Sequence, residues 1–110
     1  AWDRFVELFR SHHRARGCDP EIGRRLPALF RSAGLDEISV DVAPTAVTSP
    51  GEWYHTQLPT FIGLMRDSII AHGLSTAEEL DRLDTELRAH LAQPGTLTFC
   101  PLWQAWARRG

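Results

Sequence analysis

Hydrophobic and polar positions follow two different periods along this chain, and each change of period predicts a new structural element. Apolar residues spaced by three and four predict helices over residues 2–16 and 20–33, and a further helical segment over 50–92. Apolar residues that alternate with polar ones predict strands over 38–43 and 97–107. The pattern as a whole predicts one α+β domain with about four helices and two strands.

The second predicted helix has signals at both of its ends. Asp19 can cap the free backbone N–H groups, and Pro20 at the first helical position has a φ that already suits a helix. Gly34 suits the left-handed conformation that follows many helices. Pro27 removes one backbone hydrogen bond inside the helix, so we expect a kink there.

The segment between the two predicted strands carries its own start and stop signals. Ser49–Glu52 and Ser75–Glu78 have the S-x-x-E pattern of a capping box, and each predicts a helix start. We expect Pro59 to interrupt the first of these helices and Gly73 to end it. Gln93-Pro94-Gly95 predicts the turn that leads into the last strand.

Composition and charge exclude several classes of protein. The chain has 110 residues, of which 43% are hydrophobic and 24% are charged, as in an ordinary globular domain. A net charge of −2 gives no electrostatic argument for binding nucleic acid or a membrane surface, and no apolar run approaches the length of a membrane span. Cys18 and Cys100 form neither a disulfide framework nor a metal motif, so we expect reduced thiols in a cytoplasmic protein.

Two stretches resemble a known enzyme family. Residues 19–42, DPEIGRRLPALFRSAGLDEISVDV, look like the last crossover helix and sixth strand of Rossmann-like S-adenosylmethionine (SAM) methyltransferases. Residues 96–110, TLTFCPLWQAWARRG, look like their seventh strand, which runs antiparallel. The resemblance implies that the whole chain is a single partial domain, the C-terminal part of an α/β fold, with its two strands paired antiparallel.

The resemblance also implies a function and partners. It points to the acceptor side of an enzyme that methylates a small molecule, with SAM bound in the full-length enzyme and not by this chain alone. The family's glycine-rich SAM loop and its first five strands have no counterpart in the sequence, and the chain opens at Ala1-Trp2 inside a helical pattern. We therefore expect part of an enzyme, inactive without its N-terminal half.

The last strand is the expected contact with that missing half. In the family it lies between the fifth and sixth strands, so here one flank of 97–107 is left unpaired. We expect this edge to pair with the N-terminal half or with a second copy, as in a homodimer. Pro101 should sit at a bulge or an edge, and the apolar Leu102 and Trp106 suggest burial on both faces of the strand.

Two groups of residues could line an acceptor pocket. His12 and His13 end the first predicted helix, and the resemblance alone suggests His13 as a general base. The structural alternative is a solvated helix end whose positive charge complements the helix dipole. Adjacent helical residues point about 100° apart, so this pair is poorly placed to share a metal ion.

The second group is Trp53, Tyr54 and Gln57, with His55 between them; such aromatic and polar side chains could hold a flat acceptor. Here the structural alternative is that Trp53 and Phe61 are core residues. The acidic residues between Glu78 and Glu86 are interpreted as a solvated helix face.

Sequence motifs for other chemistry are missing, and two further functions stay open. The sequence has no G-x-S-x-G elbow, GxGxxG fingerprint or P-loop. One alternative is a stand-alone association module that binds a partner through the Leu, Ile and Phe faces of helices over 50–72 and 75–92. A weaker one is a ligand-binding regulatory domain built around Trp53 and Tyr54.

Overall fold

The computed structural model describes residues 1–47 and 53–110, and the side chains of 1–43, 55–98 and 102–110. Its elements in chain order are α1 (Trp2–Ala15), α2 (Ile22–Ser32), β1 (Leu35–Val47), α3 (Trp53–Gln57), α4 (Thr60–Ala71), α5 (Ala77–Leu91) and β2 (Thr98–Arg109). The two strands form one antiparallel two-stranded sheet. The predicted α+β class is confirmed, with four longer helices and the five-residue α3.

The chain divides into two compact units, and each is made from two separated stretches. Unit 1 comprises Ala1–Cys18 and Val47–Thr98, and so contains α1, α3, α4 and α5. Unit 2 comprises Asp19–Ala46 and Phe99–Gly110, and so contains α2 and nearly all of the sheet. None of the described helices is both long enough and apolar enough to cross a membrane.

Unit 1 is a helical bundle with a continuous apolar core. The helices α1, α4 and α5 pack on one another, and α3 packs on α4 and α5. Leucines spaced by three and four along α5 all turn inward, as the periodicity predicted. The buried apolar side chains are Phe5, Leu8, Ile62, Met65, Ile69, Leu80, Leu83, Leu87 and Leu91.

The start of α5 differs by one residue from the prediction. Thr76, and not Ser75, is the N-cap residue, and its Oγ1 accepts a hydrogen bond from the backbone N–H of Glu79 at 3.2 Å. Glu79 lies at the third helical position, yet its carboxylate accepts from Ser75 Oγ and from Arg4 instead of closing the reciprocal box. Pro59 separates α3 from α4 as expected, whereas the capping box at Ser49–Glu52 lies outside the described residues.

In unit 2, the helix begins two residues later than the sequence suggested. Asp19 Oδ1 accepts from the N–H of Glu21 at 2.8 Å, and Asp19 O accepts from Ile22 at 3.2 Å, so Pro20 lies in a turn before α2. The helix runs through Pro27 without ending there. Gly34 follows it with φ of +79°, the left-handed conformation that was predicted.

The strands are longer than predicted, and their apolar side chains are largely open to solvent. β1 extends the predicted 38–43 at both ends, and β2 covers the predicted 97–107 except Leu97. Trp103 contacts α2 beside Gly23, so Leu102 and Trp106 lie on the opposite face of the strand. These two side chains are 51% and 54% exposed, so burial on both faces is not achieved within this chain.

Candidate functional site

Four polar residues meet where α1 and α4 pack, and we call them the histidine cluster: His12, His13, Ser68 and His72. The ring of His12 lies between the other two, with centroid distances of 5.7 Å to His13 and 6.4 Å to His72. The sequence singled out His12 and His13 but not Ser68. The prediction of a solvated helix end is wrong for His12, whose side chain is only 3% exposed.

The burial of His12 follows from its position on the helix. It continues the apolar stripe formed by Phe5 and Leu8, because residues spaced by three and four share one helix face. The side chain of His13 points about 100° away, is half-buried, and packs on Phe9 with a centroid distance of 4.2 Å. The spacing of His12 from Leu8 was therefore a signal in the sequence that it would face the core.

Hydrogen bonds assign the protons of the two outer histidines. His13 Nδ1 lies 2.7 Å from the carbonyl oxygen of Phe9, and His72 Nδ1 lies 2.7 Å from that of Ser68. A carbonyl oxygen can only accept, so Nδ1 carries the proton in both rings. In the neutral form, Nε2 of each ring keeps its lone pair and is the basic atom.

His12 has a different arrangement because it bonds to a hydroxyl group. Its Nε2 lies 2.8 Å from Ser68 Oγ, while its Nδ1 is buried and has no hydrogen-bond partner. A buried N–H without an acceptor costs more free energy than an unfilled lone pair, so we assign the proton to Nε2, which donates to Ser68. This bond links α1 directly to α4.

Burial lowers the pKa of His12, because the charged imidazolium would lose its hydration. The positive charges of His13, Arg16 and His72 lower it further. A neutral His12 that donates through Nε2 cannot accept a proton from Ser68, and no group orients its Nδ1. Ser68 and His12 therefore lie at the distance of a Ser–His dyad, but His12 is not arranged to activate Ser68 as a nucleophile. Within the histidine cluster, Nε2 of His13 is the better candidate for a base.

The second predicted group is not assembled into one site by the described contacts. Gln57 is exposed, while His55 is buried and its Nε2 lies 2.8 Å from Oγ1 of the buried Thr98. Trp53 and Tyr54 begin α3, but their side chains lie outside the described ones. No described contact joins Gln57 to His12 or His13.

Two clefts formed by described residues of unit 1 are not lined by the predicted site residues. A cleft of about 240 Å³ is lined by Ala1, Arg4, Glu79, Arg82, Leu83 and Glu86. A second one of about 330 Å³ is lined by Thr60, Ile62, Gly63, Arg66, Leu80, Asp81, Asp84 and Arg88. The arginines of the second cleft are already paired, Arg66 with Asp81 at 2.6 Å and Arg88 with Asp84 at 3.0 Å.

Arg4 organises the first cleft. Its guanidinium donates to Glu79 Oε1 at 2.6 and 2.9 Å and to the carbonyl oxygen of Leu74 at 3.2 Å. Hydrogen bonds from Arg4 and Ser75 hold the pKa of Glu79 below its usual value, and the bond to Glu79 raises the pKa of Arg4. The acidic face of α5 is exposed or half-exposed, as predicted, and three of its carboxylates also form ion pairs.

Comparison with known proteins adds no relationship to these observations. No family model, curated protein or solved structure matches the chain. Within the part of the chain that the structure describes, no group of three or more His, Cys, Asp or Glu side chains is placed to hold a metal ion. Cys18 is free and exposed, and the side chain of Cys100 is not among those described.

Proposed function

We propose that this chain is the acceptor-side, C-terminal portion of a cytoplasmic SAM-dependent methyltransferase that acts on a small molecule. The observation that carries the proposal is the antiparallel pairing of Leu35–Val47 with Thr98–Arg109. Together with α2, this gives the helix–strand–return-strand order that the resemblance requires. The helices α3, α4 and α5 occupy the place of an insertion between the two strands.

The exposed apolar surface of unit 2 supports a missing partner. None of the side chains described in this unit is buried, although it carries two tryptophans and several aliphatic residues. An apolar surface of this kind usually marks a contact with another protein segment. The exposed apolar side chains are Ile22, Leu29, Val40, Val42, Leu102, Trp103 and Trp106. Under the proposal, the N-terminal half of the enzyme covers them, or a second copy does so in a homodimer.

This portion would contribute acceptor positioning, and His13 is its candidate base. Methyl transfer depends mainly on aligning the acceptor with the donor methyl group, so residues that hold the acceptor matter more than a nucleophile. The hydrogen bond to Phe9 uses Nδ1 of His13, so Nε2 keeps its lone pair. This nitrogen can take a proton from the hydroxyl or amine group that is to be methylated. SAM supplies the methyl group when bound, and its contacts are assigned to the N-terminal half.

The association module remains the second candidate, in an altered form. The apolar faces of α4 and α5, on which it depended, are occupied by the bundle core. Leu64 and Ile70 are the exceptions among the larger aliphatic side chains of α4. The apolar surface of unit 2 could serve a stand-alone association module equally well, so a test of cofactor binding is needed to separate the two.

Calorimetric titration of SAM separates these candidates. We expect no heat of binding with this chain alone, and saturable binding with the longer protein that includes its upstream sequence. Binding to the short chain would contradict the assignment of cofactor contacts to the other half. Absence of binding to the longer protein would remove the methyltransferase proposal and leave the association module.

Light scattering tests the apolar surface separately. We expect concentration-dependent self-association of this chain, weakened when Leu102 and Trp106 are both replaced by Ser. Leu64→Ser is the matched control, because Leu64 is 77% exposed but lies in unit 1. A monodisperse monomer at high concentration, or equal effects of both changes, would contradict a role for this surface in pairing.

A further inference from the structure

His12 combines three features of burial and hydrogen bonding that together decide its protonation state. Its side chain is almost fully buried on the α1 face that packs on α4. One ring nitrogen is hydrogen-bonded across to Ser68, and the other is buried without a partner. This arrangement satisfies only the neutral ring, in which Nε2–H donates to Ser68 and Nδ1 carries no proton. A charged ring would have a second N–H group at Nδ1, and no acceptor lies there.

The charges that act on His12 make protonation still less favourable. At the C-terminal end of α1, these charges are on His13 and Arg16. At the end of α4, the charge is on His72, and α5 contributes no charge that acts on the ring. All three are cationic or become so in acid, and none is a carboxylate. The negative end of the α1 dipole favours a cation here. Burial and the three neighbouring groups act in the opposite direction and lower the pKa of His12.

We infer that the His12–Ser68 contact is an acid-sensitive connection, which holds α1 on α4 near neutral pH and is released in mild acid. Protonation adds a second N–H at Nδ1 that has no acceptor, and places a cation in the core beside two further imidazoles. The ring can regain hydration only by leaving its place between the helices. Phe5 and Leu8 share the face of His12, so their contacts would loosen with it.

The direction of the pH dependence follows from proton linkage. In the unfolded chain, His12 takes up its proton around the ordinary value of 6.5, whereas in the folded chain it does so at lower pH. The stabilising contribution is therefore complete above pH 6.5 and is lost as the pH falls below it. While the folded ring stays neutral, the unfolding equilibrium constant should rise by up to about tenfold for each pH unit.

Urea unfolding of the full chain at pH 7.5, 6.5 and 5.5 tests this inference. His12→Gln keeps an N–H group able to reach Ser68 but cannot take up a proton. We expect the rise in the unfolding constant between pH 6.5 and 5.5 to be up to about fivefold smaller in this variant than in the native chain, because the unfolded His12 is already half protonated at pH 6.5. His90→Gln is the matched control, since His90 is exposed on α5, and it should keep the native pH dependence. Parallel pH dependences for all three proteins would overturn the inference.

Two measurements on the native chain apply even if His12→Gln does not fold. In an NMR titration, the ring signals of His12 should shift with a midpoint below the ordinary histidine value of 6.5. Amide exchange, corrected for its intrinsic pH dependence, should accelerate at pH 5.5 in α1 and α4 relative to α2. A His12 midpoint at or above 6.5, or equal changes in exchange across these helices, would contradict an acid-sensitive connection.

Discussion

Replacement of Gly23 by Ala tests how closely α2 is seated on the sheet. Gly23 is the second residue of α2, and the side chain of Trp103 on β2 lies directly over it. A Cβ atom built at this position would lie 3.0 Å from Trp103 Cβ and 3.1 Å from its Cγ and Cδ1. Carbon atoms normally approach to about 3.5–4.0 Å, so the two elements cannot keep their present spacing.

Two opposing effects determine the result of this substitution. Exchange of Gly for Ala inside a helix contributes roughly 0.5–1 kcal/mol of stability, whereas overpacking typically costs about 1–3 kcal/mol. The closest atom is Trp103 Cβ, which is fixed to the strand backbone, so rotation of the indole ring cannot relieve the contact. Gly23→Ala should therefore lower the free energy of unfolding by roughly 1–2 kcal/mol.

Gly63→Ala is the matched control. Gly63 lies within α4, is exposed, and has no atom within 4 Å of the position that a Cβ would take. This variant should be more stable than the native chain by roughly 0.5–1 kcal/mol. Urea denaturation followed by circular dichroism measures both changes, and amide exchange should assign the loss in Gly23→Ala to α2 and β2. If Gly23→Ala is as stabilising as Gly63→Ala, the close packing of α2 on Trp103 is wrong.

Three further predictions concern unit 1, and each is tested by urea denaturation. Leu87→Ala should lower the free energy of unfolding by about 2–5 kcal/mol, because Leu87 is fully buried. The control Leu64→Ala should change it by less than about 0.5 kcal/mol, because Leu64 is exposed. Equal losses in the two variants would contradict the assigned core. Thr76→Ala should cost roughly 1 kcal/mol through loss of the α5 N-cap, and clearly more than Thr85→Ala, whose hydroxyl donates to a carbonyl on the exposed helix surface. Above pH 4.5, the native chain should be more stable than Glu79→Gln by the full contribution of the Arg4–Glu79 pair. This difference should disappear as the pH falls through the lowered pKa of Glu79. A difference that is independent of pH would refute the pairing with Arg4.

The sequence predicts a helix end correctly where one residue, such as Gly or Pro, determines that end by itself. Gly34 and Pro59 act through their own backbone geometry, and the structure has a helix boundary at each. The start of α5 was missed by one residue because Ser75-Thr76 and Glu78-Glu79 are doublets that satisfy the S/T-x-x-E pattern in two registers. Arg4, which lies far away in the sequence, engages Glu79, and local pattern reasoning contains no information about such a contact.

The histidine cluster shows the same limit at the candidate site. The periodicity of α1 places His12 on the stripe of Phe5 and Leu8, so its burial could have been read from the sequence. That Ser68 and His72 would meet it depends on how α1 crosses α4, which the packing of the whole bundle determines. The group of Trp53, Tyr54 and Gln57 was proposed from adjacency in sequence, which does not establish a common direction for side chains on a helix.

The way the chain is shared between the two units has a consequence for cleavage and reassembly. The backbone passes from one unit to the other three times, after Cys18, after Ala46 and after Thr98. No uninterrupted stretch contains one whole unit without part of the other, so neither unit can be produced alone by simple truncation. A protease nick after Cys18 would not release unit 2, but would leave a short peptide carrying Phe5 and Leu8 that must rebind for the bundle to re-form. Such a nicked protein would behave as a pair of complementing fragments, and its folding would become dependent on concentration.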